Sequence, residues 1–188
     1  MPKSVLFDRE EVIEKVTDLF WRKGYNGTSM QDLVDVTGLN RSSIYNTFGD
    51  KFQLFEESLK HYQYTQNQFL RKSFSEAQSP KQAIMSLFRG ISDDIKAGNQ
   101  KGCMITSCTS ELGGEDQKVT NFLIENKERV VASFSALIEG AQQLGEIPED
   151  KNPKTLALYL FSSLQGLRVT SMIETDLEQV TEEVLSVL

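Results

Sequence analysis

The sequence predicts an all-α protein, and three observations carry that prediction. Helix-start signals recur along the chain, apolar residues between them fall at three- and four-residue spacing, and almost no alternating, strand-like pattern separates them. The start signals pair a capping residue with an acid or amide three positions later: Asp8 with Glu11, Thr28 with Gln31, Asp50 with Gln53, Ser79 with Gln82 and Thr175 with Glu178. Pro80 and Pro153 each follow a capping residue, at the first helical position where a missing N–H costs nothing. Gly24, Gly38, Gly98 and Gly145 each stand where a pattern ends, as C-terminal caps do.

Taken in order, the first helix carries Val12, Val16, Leu19 and Phe20 on one face. A short helix from Ser29 to Val36, a turn at Gly38 and a second short helix opened by Asn40 follow, which is the anatomy of a helix-turn-helix. A helix of barely two turns must be held by packing, and Leu33, Val34, Leu39, Ile44 and Phe48 supply the contacts. After Pro80 come Ile84, Leu87, Phe88, Ile91 and Ile95. After Asp116 come Val119, Phe122, Leu123, Val130, Phe134, Leu137, Ile138 and Ala141. The helix from about Asn152 to Met172 has Leu156, Leu160, Leu164 and Leu167 on one side but Leu158, Phe161 and Val169 on others, so it must be covered on more than one face. Its small residues Ser162, Ser163 and Gly166 allow another helix to approach closely.

The composition limits what such a protein does. A chain of 188 residues with 39% hydrophobic and 25% charged content is ordinary for a globular protein. No stretch approaches the roughly 18 uninterrupted apolar residues of a membrane span, and the opening MPKSVLFDREEV meets acids too soon for a secretory signal, so a cytoplasmic protein with no membrane partner is expected. Cys103 and Cys108 stand in a C-x4-C spacing with no second pair to complete a zinc site, and they read as reduced thiols. His61 is the sole histidine, with no Ser or Asp spaced to form a triad with it, and the chain is read as a non-enzyme that needs no metal or cofactor.

Net charge is −7, which argues against indiscriminate nucleic-acid binding. The acid is uneven. Residues 1 to 52 hold seven Lys or Arg against eight Asp or Glu, while the remainder holds 13 against 19. Any DNA contact in the first part must therefore depend on a few placed groups. The outward positions of the second short helix, Asn40, Arg41, Ser42, Ser43, Tyr45 and Asn46, are all hydrogen-bonding types able to reach base edges or phosphates in a major groove.

The run F-W-R-K-G-Y-N-G-T-S-M-Q-D-L-V from Phe20, followed by T-G-L-N-R-S-S-I-Y-N-T-F-G-D-K-F-Q-L-F, resembles the N-terminal domain of TetR-family regulators over roughly residues 8 to 60. The resemblance implies about nine helices. A helix-turn-helix DNA-binding domain of three helices would span residues 1–52, and a helical ligand-binding and dimerisation domain residues 53–188. It implies that Thr28 and Ser29 hold a phosphate through backbone N–H groups and hydroxyls, that Tyr45 and Lys51 meet two more, and that Asn40, Arg41, Ser42 and Ser43 read bases. Arg41 is the best placed for a bidentate contact to guanine. Asn46 departs from the commonest pattern, in which many relatives carry His, and a phosphate contact survives the change.

The same resemblance implies a homodimer on a palindromic operator, with an interface on Lys154 to Met172 and Leu177 to Leu188, released by a small-molecule inducer. Pocket candidates are Phe88, Ile91, Met104, Phe122 and Phe134, with Cys103 beside them. An aromatic or Met at helical spacing is more often core than pocket, and a free Cys is more often a small buried hydrophobe than a sensor. Two alternatives stay open: a repressor that senses oxidants or electrophiles through Cys103 or Cys108, and a protein-interaction module on the same fold that binds no operator.

Overall fold

The computed structural model describes residues 7–98 and 101–188, with Ser73 described by its backbone alone. The opening residues 1–6, part of the segment read above for a secretory signal, lie outside that description. Among the described residues there are nine helices and no strand: α1 Arg9–Lys23, α2 Met30–Thr37, α3 Arg41–Phe48, α4 Lys51–Glu76, α5 Pro80–Lys96, α6 Met104–Leu112, α7 Gln117–Gln143, α8 Pro153–Thr170 and α9 Glu178–Leu185. None of the described helices is long and apolar enough to cross a membrane. The chain divides into two compact units, Met1–Gln66 and Asn67–Leu188.

The division falls inside α4, beyond residue 52, because the first turns of that helix complete the N-terminal core. Leu54, Phe55, Leu59 and Tyr62 are buried there with Val16 and Phe20 of α1, Leu33 of α2 and Ile44 of α3. The Phe20 and Phe55 rings meet edge to face at 5.0 Å.

Most helix starts follow the capping logic. The Asp8 carboxylate accepts from the N–H groups of Glu10 and Glu11, Ser79 from Gln82, and Asn152 from Thr155. Asp50 and Gln53 exchange bonds at 3.0 and 2.8 Å. Two starts differ from expectation. The α2 cap is Ser29, with Asp32 as its reciprocal partner, one residue beyond the Thr28–Gln31 pair. Thr175 caps nothing: α9 begins at Glu178, whose N–H is taken by Asp176 at 3.2 Å. Both corrections have one cause, since neighbouring residues of the capping class compete for the same orphan donors.

In the second unit, Ile84, Phe88, Ile91 and Ile95 of α5 pack with Phe134, Ile138 and Ala141 of α7 and with Leu156, Leu160, Leu164 and Leu167 of α8. Helices α7 and α8 make the most extensive contact in the chain. Helix α9 lies on α5, held by Arg89 to Glu182 at 2.6 Å, Lys96 to Glu178 at 2.9 Å, and a buried Ser92–Thr181 hydroxyl pair at 3.2 Å.

Candidate nucleic-acid interface

Helix α3 is seated by its inner edge. Ile44 and Phe48, with Leu39 from the turn, are buried against the core, and α3 touches α2 directly. The turn depends on Gly38, whose φ of 69° is the left-handed conformation that closes α2 by returning its N–H to the Val34 carbonyl at 2.9 Å. Before α2 the chain passes so close to α1 that a Cβ on Gly27 would stand 2.2 Å from the Lys23 carbonyl oxygen. Only glycine fits there.

The outer edge of α3 then presents Arg41, Ser42, Tyr45, Asn46 and Thr47 to solvent, with the cap residue Asn40 exposed at its start. Ser43 is half-buried, and its N–H goes to the Asn40 Oδ1 at 2.8 Å. The Asn40 carbonyl side is thereby spent on capping and its amide N–H₂ stays available. Thr47 is exposed on the same helix but absent from the sequence-level set, because it follows the phosphate-type residues and precedes the buried Phe48.

The donors of Thr28 and Ser29 are engaged within the protein. Thr28 is buried, its hydroxyl donates to the Gly24 carbonyl at 2.7 Å, and its N–H goes to Tyr25 at 3.3 Å. Both the N–H and the hydroxyl of Ser29 go to the Asp32 carboxylate, at 2.8 and 2.7 Å. That carboxylate also takes the Lys23 ammonium at 2.6 Å. The Lys23 ammonium, aided by the two Ser29 donors, holds the Asp32 carboxyl well below the usual carboxylate range.

Placement of charge separates α3 from its surroundings. On α1, Lys15 pairs with Glu11, Arg22 with Asp18 and Lys23 with Asp32, while Arg9 forks onto Glu57 and lies 5.0 Å over the Phe48 ring. Lys51 sits 4.3 Å over the Tyr25 ring. Burial, and then the nearby Asp50 carboxylate, raise the Tyr25 phenol above its ordinary pKa. Among the described residues Arg41 makes no ion pair, so the one cation on the exposed edge of α3 is uncommitted. Sequence reasoning missed the Arg9 clamp, since its partners Glu57 and Phe48 are remote in the chain.

An exposed, polar, two-turn helix seated on a bihelical support, with its arginine uncommitted, is the geometry of a helix-turn-helix reading head. Residues 12–58 match the family model described as bacterial regulatory proteins, tetR family, and residues 80–185 match the model for the tetracyclin repressor-like C-terminal domain. The chain belongs to the TetR family. This TetR-family protein is thus a DNA-binding transcriptional regulator and not an enzyme.

The relatives agree. An uncharacterized HTH-type transcriptional regulator of Bacillus subtilis strain 168, YezE, is 28% identical over 193 residues that span all of both chains. The HTH-type transcriptional repressor ComR of Escherichia coli K12 is 28% identical over 183 residues, 94% of this chain and 85% of ComR. Among solved structures, a cysteine mutant of the TetR-family regulator CifR, complexed with 26-bp double-strand operator DNA, superposes with a TM-score of 0.82 at 25% identity over 96% of each chain.

The pocket residues expected of this TetR-family chain lie in its second unit. Phe88, Ile91 and Phe134 belong to the central apolar cluster, and the Phe88 and Phe134 rings stand 6.2 Å apart. Cys103 and Met104 are buried at the start of α6, and Phe122 is half-buried on α7. The Arg168 guanidinium of α8 donates to the Cys103 sulfur at 3.1 Å. Cys108 is also buried, and desolvation, reinforced by Glu111, pushes its thiol up to about 12.

Proposed function

We propose that the chain is a homodimeric repressor that reads a palindromic operator with α3 and leaves it when a small molecule binds the second unit. The observation that carries this reading is the uncommitted Arg41 on the exposed edge of α3, in a unit whose α1 cations are each paired with an acid. Arg41 reads guanine through its planar fork. Asn40, Ser42 and Ser43 read neighbouring bases, and Tyr45, Asn46 and Lys51 hold phosphates.

Thr28 and Ser29 serve the same contact indirectly. Their donors are engaged in the turn and the cap, so the phosphate at this end of α2 falls to the N–H groups of Met30 and Gln31, the first two helical positions. Release follows a population shift, in which an effector favours a conformer with a different spacing of the two reading heads and operator affinity falls in proportion. Met104, buried at the start of α6, and Phe122, half-buried on α7, are the adaptable side chains that make room for it. Such a repressor acts on chromosomal DNA in the cytoplasm.

Selection from random duplex DNA tests this reading. The expected product is a near-palindrome with half-sites about 10 bp apart, one helical turn. Recovery of no enriched sequence from the folded protein overturns it and favours the protein-interaction module.

One observation favours a second reading of the signal. The Arg168 guanidinium donates to the Cys103 sulfur at 3.1 Å, whereas burial and Glu111 hold Cys108 protonated. Cys103 is then the residue that an oxidant or electrophile modifies. If Cys103→Ser represses and induces as the unmodified chain does, thiol sensing is excluded.

A further inference from the structure

Lys51 stands at the first position of α4, where the orphan N–H groups already carry partial positive charge and a cation is unfavourable to its own helix. The helix gains nothing from it there. Its backbone is nevertheless closely fixed. Gly49 holds a φ of 81°, a Cβ on it would strike the Gln53 side chain, and Asp50 and Gln53 exchange their capping bonds at 3.0 and 2.8 Å.

A ring fixes the side chain. The Lys51 ammonium lies 4.3 Å from the centroid of the Tyr25 ring. That ring is itself held in place, 5.0 Å from Phe55, 6.0 Å from Phe52 edge to face, and stacked 6.4 Å from Phe20. Tyr25 belongs to the turn between α1 and α2, and its backbone carbonyl accepts the Thr28 N–H at 3.3 Å. One residue therefore joins the start of α4 to the turn that leads into α2.

Arg9 shows what a different arrangement does. It also lies over a ring, that of Phe48, but it forks onto the Glu57 carboxylate, whose charge cancels its own. An aromatic face attracts a cation through its quadrupole and carries no net charge, so it orients an ammonium without cancelling it. Burial, and then Asp50, raise the Tyr25 phenol above its ordinary pKa, which keeps this ring neutral. A lysine otherwise gives up rotamer freedom when it meets a phosphate. A ring contact at a partly exposed site raises the population of the held rotamer roughly two- to five-fold, and a phosphate that selects that rotamer binds tighter by the same factor.

We propose that Tyr25 is a positioning residue for DNA binding, whose ring holds the Lys51 ammonium in the orientation that meets a backbone phosphate. This rests on the phosphate role given to Lys51 above.

A double-mutant cycle on the full chain tests it, with a fluorescent duplex of random sequence at low salt as the probe, because a phosphate contact carries no sequence information. Tyr25→Leu is expected to weaken binding roughly two- to five-fold for each copy that meets the duplex, and Tyr25→Phe, which keeps the ring face, to bind as the unmodified chain does. Lys51→Ala is expected to weaken binding by a larger factor, and adding Tyr25→Leu to it to change nothing further. An equal Tyr25→Leu loss in both backgrounds, or a Tyr25→Phe loss as large as that of Tyr25→Leu, overturns the positioning role and leaves the phosphate role of Lys51 standing. A Lys51→Ala chain that binds as tightly as the unmodified one overturns both. A second measurement needs no variant to fold. In the NMR spectrum of the unmodified chain, the ring current of Tyr25 is expected to shift the Lys51 ε-methylene protons upfield, and unshifted protons overturn the proposal.

Discussion

The Lys23 ammonium and the Asp32 carboxylate meet at 2.6 Å, tying the end of α1 to the first turn of α2. The same carboxylate accepts from both donors of Ser29, so one acid closes the capping box and takes up a cation next to the reading head. In this near-neutral unit Asp8, Asp32 and Asp50 serve as caps or cap partners, and Glu11, Asp18 and Glu57 pair with cations.

Ser29→Ala removes the cap and leaves the Asp32 N–H unsatisfied. It is expected to lower stability by about 1 kcal/mol, read by denaturant unfolding. The pH dependence has a fixed sign. The Asp32 carboxyl is held low in the folded state, so its contribution is complete above the unfolded carboxylate pKa of about 3.9 and is lost as pH falls below it. The stability difference between the unmodified chain and Asp32→Asn should be constant at neutral pH and shrink below about pH 4. A difference that grows on acidification contradicts the assignment.

Phe134 is buried against Phe88 at the centre of the second unit. Phe134→Ala is expected to cost about 3–5 kcal/mol, the range for a large core aromatic. An effector that fills the resulting cavity should restore part of that loss, measured as a ligand-dependent rise in Tm. A cost below about 1 kcal/mol would show that the ring already borders open space.

Cys108 and Cys103 should separate under alkylation. With its thiol pushed up to about 12, Cys108 stays protonated and unreactive in the folded chain at pH 8. Because the unfolded thiol ionises near 8.5 while the folded one does not, the Cys108 contribution to stability falls as pH rises from about 8.5 towards 12. Peptide mapping after native labelling is expected to place any modification on Cys103 alone. Labelling of Cys108 first would contradict the burial argument.

The legible parts of this fold are its local ones. Asp8, Ser79, Asp116 and Asn152 announce helices because a cap and its partners lie two or three residues apart in sequence. The outer edge of α3 was legible for the same reason, since a two-turn helix with Ile44 and Phe48 inside fixes what remains outside. Where neighbours compete, the pattern is ambiguous: Thr28 and Ser29 both resemble caps, and the choice turns on whether Gln31 or Asp32 reaches back. Contacts remote in sequence leave no local trace. Arg9 with Glu57 and Phe48, and Arg168 with Cys103, needed the structure, as did the finding that α9 turns its acids to α5.

On the reading proposed above, Arg41 on α3 gives a near-neutral unit its sequence preference and Lys51 at the start of α4 gives it phosphate affinity. Operator affinity measured against salt concentration for the unmodified chain, Arg41→Ala and Lys51→Ala tests it most directly. Arg41→Ala is expected to lose about 1–3 kcal/mol of preference for operator over random DNA. Lys51→Ala is expected to weaken both alike and to reduce the salt slope by about 1 for each copy of the residue that meets a phosphate. Unchanged preference and unchanged slope in both variants would contradict the account.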